Sequence, residues 1–108
     1  MRSQSFKIVF VTAPNRKVAR HLARKALEAK LVACANIVPA VESLYWWQDK
    51  IECSRELLIV FKTIAPRVNQ LEKMVVAEHP YDTPEFVVLD PSAANRRYLA
   101  WWRAACVG

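Results

Sequence analysis

The sequence predicts a single α+β domain in which two long helices cover one face of a four-stranded antiparallel sheet. Apolar, β-branched runs and amphipathic segments of helical period follow one another in the order strand, helix, strand, strand, helix, strand. The chain has 108 residues, enough for one ordinary domain and too few for two. Hydrophobic residues make up 54% of it and charged residues 24%, which excludes intrinsic disorder. We therefore treat residues 1–108 as one domain.

The first strand and helix are predicted by an apolar run and the amphipathic segment after it. Lys7–Thr12 is rich in isoleucine, valine and phenylalanine, and Ala13–Asn15 contains the proline and asparagine of a turn. Asn15 is a residue type that caps helices. From about Arg16 to Lys30, small and apolar residues lie on one helical face and basic residues on the other. These features predict a strand, a turn and a capped helix.

A long hairpin is predicted next. Leu31–Val38 and Val41–Trp47 are both strand-like, and Pro39 between them is tolerated in a sheet only at a bend, a bulge or an edge. We therefore expect one long strand with an irregularity at Pro39. The short polar interval Gln48–Lys50 then predicts a turn into the strand Ile51–Thr63.

The remaining elements are a second helix, a strand and a short third helix. Pro66 suits the first turn of a helix, and Pro80 ends that helix near His79. Pro84–Leu89 predicts the last strand, and Asn95 can cap the final helix. The residues that this helix is expected to bury are Tyr98, Leu99, Trp102 and Cys106.

This order fits a ferredoxin-like βαββαβ sandwich with an antiparallel sheet, a long hairpin and an appended C-terminal helix. Helices cover only one face of such a sheet. Tyr45, Trp46 and Trp47 are consecutive, and so are the apolar residues Leu57–Phe61, so large side chains lie on both faces of the hairpin strands. A surface this apolar usually meets another subunit, and we predict a homo-oligomer.

Composition excludes several classes of site. The net charge is +6, and a cluster of basic residues lies in the first helix, where the alternatives are a solvated face and a stripe that binds phosphates or acids. No nucleic-acid-binding motif accompanies this cluster, so we predict no nucleic-acid partner. The only glycine is Gly108, which excludes the glycine-rich loops of Walker and Rossmann sites. No apolar run approaches the ~20 residues of a membrane span, and we expect neither export nor anchoring.

The cysteines indicate a reducing compartment. Cys34, Cys53 and Cys106 are an odd number, widely spaced, and contain no C-x-x-C pair. This arrangement is not typical of a disulfide framework or a zinc site. We therefore predict a cytoplasmic protein.

Three segments resemble the CutA divalent-cation-tolerance family. They are Val11–Asn15 (VTAPN), the region from Ala33–Pro39 (ACANIVP) to Ser43–Glu52 (SLYWWQDKIE), and His79–Glu85 (HPYDTPE). The ending Tyr98–Trp102 is similar too. The resemblance spans nearly the whole chain in the family's order. It implies a ferredoxin-like subunit in a homotrimer, with Tyr45, Trp46 and Trp47 at the interface between subunits.

The sequence departs from the family at two glycine positions. Ala40 follows the V-P pair and Asp49 stands in the hairpin turn, where the family usually has glycine. Aspartate tolerates a left-handed backbone better than most residues, so we expect the turn to be kept. Alanine would raise the energy of a left-handed backbone more.

The resemblance also implies a role in tolerance of divalent metals, copper first. His79 is the strongest candidate ligand, with Glu78 and Glu85 as nearby oxygen donors, and its alternative role is to cap the end of the second helix. A cysteine that ligates copper in some family members stands before T-A-P, where this chain has Val11. We expect weak binding of Cu²⁺ or another divalent metal and no organic cofactor.

Two other functions stay open at this point. The family's fold resembles that of the PII signalling proteins, which bind small effectors in clefts between subunits. The polar candidates for such a cleft are Lys50, Glu52, Tyr81, Asp82 and Glu85. A purely structural module that docks through the basic helix is the other possibility. No serine or cysteine has the surroundings of an activated nucleophile, so we predict no catalysis.

Overall fold

The structure, a computed structural model, describes residues 5–107 and contains the seven elements in the predicted order. The strands are β1 (Phe6–Ala13), β2 (Cys34–Trp47), β3 (Lys50–Ile64) and β4 (Val87–Leu89). The helices are α1 (Arg16–Glu28), α2 (Ala65–Glu78) and α3 (Arg96–Val107).

The four strands form one antiparallel sheet in the order β2-β3-β1-β4. β1 lies along β3 from the pair Phe6 and Ile64 to the pair Ala13 and Leu57. The main core lies between this sheet and the helices α1 and α2, and its buried members include Val9, Ile59 and Leu71. This arrangement confirms the ferredoxin-like α+β fold.

The first helix begins as the sequence predicts. The side chain of Asn15 accepts a hydrogen bond from the N–H of Val18 at 2.9 Å, which caps α1. The apolar face of α1 is buried as expected, except that Leu27 is exposed. The helix ends two residues earlier than predicted because Lys30 adopts a left-handed backbone with φ of 59°, in the place that glycine usually takes after a helix.

The long hairpin has the predicted irregularity at Pro39. The pairing of β2 with β3 shifts between Val38 and Val41, and Ala40 has a φ of 62°. The turn contains two residues rather than three, since Gln48 and Asp49 have φ of 49° and 65°. Two positive φ values are typical of the turn that matches the twist of a hairpin. Both departures from the family's glycines therefore fall on left-handed backbone.

Three expectations were wrong in detail. Residues 31–33 precede β2 instead of belonging to it. The strand predicted at Pro84–Leu89 contains only Val87–Leu89, because only these three residues pair with β1, at Ile8–Phe10. Tyr98 is 37% exposed, and its hydroxyl accepts a hydrogen bond from Lys62 Nζ at 3.0 Å instead of entering the core.

A second, smaller core lies between α3 and the ends of β1 and β3. Asn95 caps α3 by accepting a hydrogen bond from the N–H of Tyr98 at 3.1 Å. Trp102 packs edge-on against Phe6, with ring centroids 5.1 Å apart, and its indole N–H donates to the carbonyl of Thr63 at 2.8 Å. Cys106 and Leu99 are buried beside them, as predicted.

The described residues contain no helix that is long and apolar enough to cross a membrane.

Candidate cation-binding cleft

A cleft of about 670 Å³ lies where the distal half of the hairpin meets the loop after α2. β2 contributes the segment Glu42–Tyr45 and Trp47, β3 contributes Glu56, and Thr12 lies at the end of β1. The loop contributes Tyr81–Thr83 and Glu85. Four separate parts of the chain therefore build one concave site.

The cleft is acidic. Four carboxylates line it, those of Glu42, Glu56, Asp82 and Glu85, and no lysine, arginine or histidine does so among the described residues. The chain as a whole carries a net charge of +6, so the negative charge of this cleft is a local feature. Such a site attracts cations and repels phosphates and other anions.

Glu56 is the most buried of these acids. Its residue is 7% exposed, and one carboxylate oxygen accepts a hydrogen bond from the Tyr81 hydroxyl at 3.1 Å. Burial, together with this hydrogen bond to Glu56, raises the pKa of Tyr81 to about 12, so the phenol keeps its proton. No salt bridge in residues 5–107 neutralises Glu56.

Glu85 is close enough to Glu56 to be affected by its negative charge. Burial, and then repulsion from Glu56, raises the pKa of Glu85 above its ordinary value of 4.5. The two carboxylates therefore lie near enough to repel each other, with Glu56 buried and Glu85 exposed. A cation placed between them would favour the ionised form of Glu85.

His79 fixes the loop that carries these residues. It is 7% exposed, and its Nε2–H donates to the carbonyl of Thr12 at 2.7 Å. Its Nδ1 accepts from the N–H of Tyr81 at 3.1 Å, and the two rings pack with centroids 4.7 Å apart. Both ring nitrogens are therefore engaged within the fold, with the tautomer set by these two partners.

The structure does not bring together the three residues proposed as metal ligands. Glu78 lies between α1 and α2, where its carboxylate bonds His21 Nε2 at 2.8 Å and Lys25 Nζ at 3.4 Å. These contacts, the bond from His21 first, lower the pKa of Glu78. Only Glu85 of the three lines the cleft, and residues 5–107 contain no group of three histidine, cysteine or acidic side chains placed to hold a metal ion.

The structure does bring together three of the five residues proposed for an effector cleft. Tyr81, Asp82 and Glu85 line it, whereas Lys50 and Glu52 lie exposed at the start of β3, outside its lining. The sequence reasoning missed Glu42 and Glu56. An acid at the beginning of the apolar run of β3 was the signal that could have identified Glu56.

The aromatic triplet of β2 divides between two surfaces. Tyr45 and Trp47 line the cleft, while Trp46 between them is 72% exposed. Alternation along a strand explains this division, because successive side chains point to opposite faces. Val11, at the position of the family's copper-binding cysteine, is fully buried in the core and offers no ligand.

Comparison with known proteins identifies the family. The sequence profile described as "CutA1 divalent ion tolerance protein" matches residues 7–105. The chain belongs to the CutA1 family. It is 41% identical over 97 residues to the divalent-cation tolerance protein CutA of Thermus thermophilus, covering 90% of this chain and 94% of that one. It is 40% identical over 94 residues to the chloroplastic Protein CutA 1 of rice, but spans only about half (53%) of that longer relative.

Solved CutA1 structures share the fold over almost the whole chain. The Thermus thermophilus protein superimposes with a TM-score of 0.90 at 40% identity, covering 93% of this chain and 97% of that one. The rice CutA1 structure gives a TM-score of 0.90 at 37% identity, with 95% and 94% covered. The names of some CutA1 relatives, such as those of Thermus thermophilus and Archaeoglobus fulgidus, describe divalent-cation tolerance proteins. The names also give different compartments, chloroplastic in rice and periplasmic in Archaeoglobus fulgidus.

Proposed function

We propose that this chain is a non-catalytic homotrimeric protein that contributes to divalent-cation tolerance by binding cations weakly in the acidic cleft. The observation that carries the proposal is the lining of that cleft by four carboxylates with no basic side chain among the described residues. Membership of the CutA1 family supplies the physiological context.

The donor set favours weak binding. Divalent cations that keep much of their water shell are bound through one or two carboxylates, and Glu56 and Glu85 can serve in this way. Cu²⁺ is the first cation to test, because affinity for a given site of oxygen and nitrogen donors rises towards copper in the divalent series. In this proposal His79 holds the loop and does not itself ligate the metal.

The homotrimer is proposed from the exposed apolar surface and the family. Leu44, Trp46 and Ile51 are each more than three-fifths exposed near the end of the hairpin, where a single chain leaves them in water. Tyr45 and Trp47 lie on the other face of β2, where they line the cleft and are 43% and 53% exposed. We expect neighbouring subunits to cover Leu44, Trp46 and Ile51, and the cleft would then lie at a boundary between subunits. Cytoplasmic location remains part of the proposal, supported by the free thiols of Cys34, Cys53 and Cys106.

Calorimetric titration with Cu²⁺ tests the binding step, with Mn²⁺ and Zn²⁺ as comparisons and light scattering on the same samples to measure the mass. We expect a saturable, weak Cu²⁺ event that Glu85→Gln weakens by about tenfold, since a charged oxygen ligand is lost. Glu28→Gln removes the same charge from the exposed end of α1 and should leave the event unchanged. Equal binding by wild type and Glu85→Gln, or a monomeric mass, would contradict the proposal.

Tolerance itself is tested in cells. A host that lacks its own CutA1 protein should grow at higher Cu²⁺ concentrations when it expresses the wild-type chain. Expression of Glu85→Gln at the same level should give less protection, and Glu28→Gln should protect as well as wild type. Full protection by Glu85→Gln would separate tolerance from the cleft.

A second candidate function, a sensor of small effectors in the same clefts, is favoured by the size of the cleft. A volume of about 670 Å³ exceeds what one hydrated metal ion requires and lies within the usual range of small-molecule sites.

A further inference from the structure

Aromatic rings share the cleft with the carboxylates. Tyr45 and Trp47 form the side contributed by β2, and Tyr81 belongs to the loop opposite. Tyr81 is held in place from two directions, by ring packing on His79 and by its hydrogen bond to Glu56. The cleft therefore presents three aromatic rings, of which Tyr81 is held in place, beside the buried carboxylate of Glu56.

The spacing of the acids distinguishes between kinds of cation. Within residues 5–107, no three acidic, histidine or cysteine side chains converge on a single point as an inner coordination sphere requires. The four carboxylates are instead distributed over the wall of a large cleft. A metal ion would contact one or two of them, whereas a longer cation could reach more.

Burial strengthens the interaction that Glu56 can make. Its residue is 7% exposed and has a neutral hydrogen-bond partner, Tyr81, but no cationic partner among the described residues. A charge removed from water in this way is poorly screened, so a matching cation interacts with it more strongly than at the surface. Aromatic faces attract the same class of ligand.

We propose that the cleft binds an organic cation, an amine or guanidinium group on an aliphatic stem, with the cationic group between Glu56 and Glu85 and the stem along Tyr45 and Trp47. This inference rests on the proposed function only in using the same cleft. It supplies the chemical class of the effector that a sensor would detect.

The probe is agmatine, which carries a guanidinium and an amine on a four-carbon stem, compared with the neutral 1,4-butanediol and the anionic glutarate. Calorimetry at moderate salt should show saturable binding of agmatine at one site per subunit, and no binding of the other two compounds. Glu56→Gln should weaken agmatine binding by about tenfold or more, because it removes a buried charge. Glutamine keeps an oxygen that can accept the hydrogen bond from Tyr81. Trp47→Leu should weaken agmatine binding by about threefold or more, because the aromatic ring that attracts the cation is lost.

Two variants serve as matched controls. Glu28→Gln removes a charge at an exposed position on α1, and Trp101→Leu removes an exposed indole on α3. Both should bind agmatine like wild type, and thermal unfolding with light scattering confirms that every variant is folded and assembled as wild type is.

Several outcomes would overturn the inference. The first is that the wild-type protein does not bind agmatine at millimolar concentration. The second is that 1,4-butanediol binds as tightly as agmatine, and the third is that Glu56→Gln binds agmatine as tightly as the wild-type protein does. A parallel Cu²⁺ titration separates the two proposals. Binding of Cu²⁺ without agmatine refutes only the organic-cation inference, and binding of agmatine without any divalent metal refutes only the metal-binding function.

Discussion

Removal of the His79 imidazole distinguishes a positioning role from a metal-binding role. His79→Ala loses the donor to the Thr12 carbonyl and the acceptor for the N–H of Tyr81, which are 2.7 Å and 3.1 Å from the ring nitrogens. It also removes the ring on which Tyr81 packs. These contacts connect the cleft loop to the end of β1, so their loss should destabilise the protein when no metal is present.

The magnitude follows from the two hydrogen bonds and from burial. Each bond contributes about 0.5–1.5 kcal/mol, and a buried carbonyl left without a donor costs about 1–3 kcal/mol. Because His79 is 7% exposed, water reaches the vacated site only in part. We therefore expect a loss of about 2–4 kcal/mol in the free energy of unfolding.

Urea unfolding in the presence of EDTA measures this loss, at one fixed protein concentration because an oligomer's apparent stability depends on it. His21→Ala is the matched control. Within residues 5–107 this exposed histidine makes only the surface contact with Glu78, and its loss should cost no more than about 1 kcal/mol. Wild-type stability of His79→Ala in EDTA, combined with a loss of stabilisation by Cu²⁺, would refute the positioning role and restore His79 as a ligand.

Three further predictions concern the backbone, the second core and the cleft charge. Ala40→Gly should raise the free energy of unfolding by about 0.5–1 kcal/mol, because Ala40 has a φ of 62° that glycine adopts without strain. Urea unfolding measures this change in free energy. Trp102→Phe should cost about 1–3 kcal/mol in the same assay, since the buried carbonyl of Thr63 loses its indole donor; no loss would show that the bond is dispensable. Burial, and then repulsion from Glu56, raises the pKa of Glu85 in the folded protein above its ordinary value of 4.5. The contribution of the Glu85 carboxyl group to stability is therefore fully present below pH 4.5 and is lost as the pH rises through the pKa of the folded state. Glu85→Gln should therefore have a higher thermal midpoint than wild type near neutral pH, a difference that shrinks in acid, and a lower midpoint near neutral pH would contradict this sign.

The sequence predicts the order of the elements well because local signals agree with one another. Asn15 and Asn95 cap helices where their residue type indicates, and Pro39 lies at the irregularity of β2. The end of α1 was less predictable, because a lysine, Lys30, takes a left-handed conformation that residue type alone does not favour. The extent of β4 depends on pairing with β1, which no local pattern encodes.

The candidate site is only partly visible in the sequence. Tyr81, Asp82 and Glu85 lie in one short segment, so their proximity follows from the chain itself. Glu56 reaches them across many residues, through the pairing of β2 with β3 and the return of the chain after α2. The engagement of His79 was hidden for the same reason, because its partner Thr12 lies at the end of the first strand.

Paramagnetic broadening of the backbone amide spectrum by Cu²⁺, recorded on the deuterated protein, locates the bound cation and shows whether it lies in the acidic cleft. We predict that substoichiometric Cu²⁺ first broadens the amide signals of residues 81–83 and Glu56, while those near Glu78 persist. Broadening that begins around His21 and Glu78, with the cleft signals unaffected, would contradict the account and place the cation between the two helices.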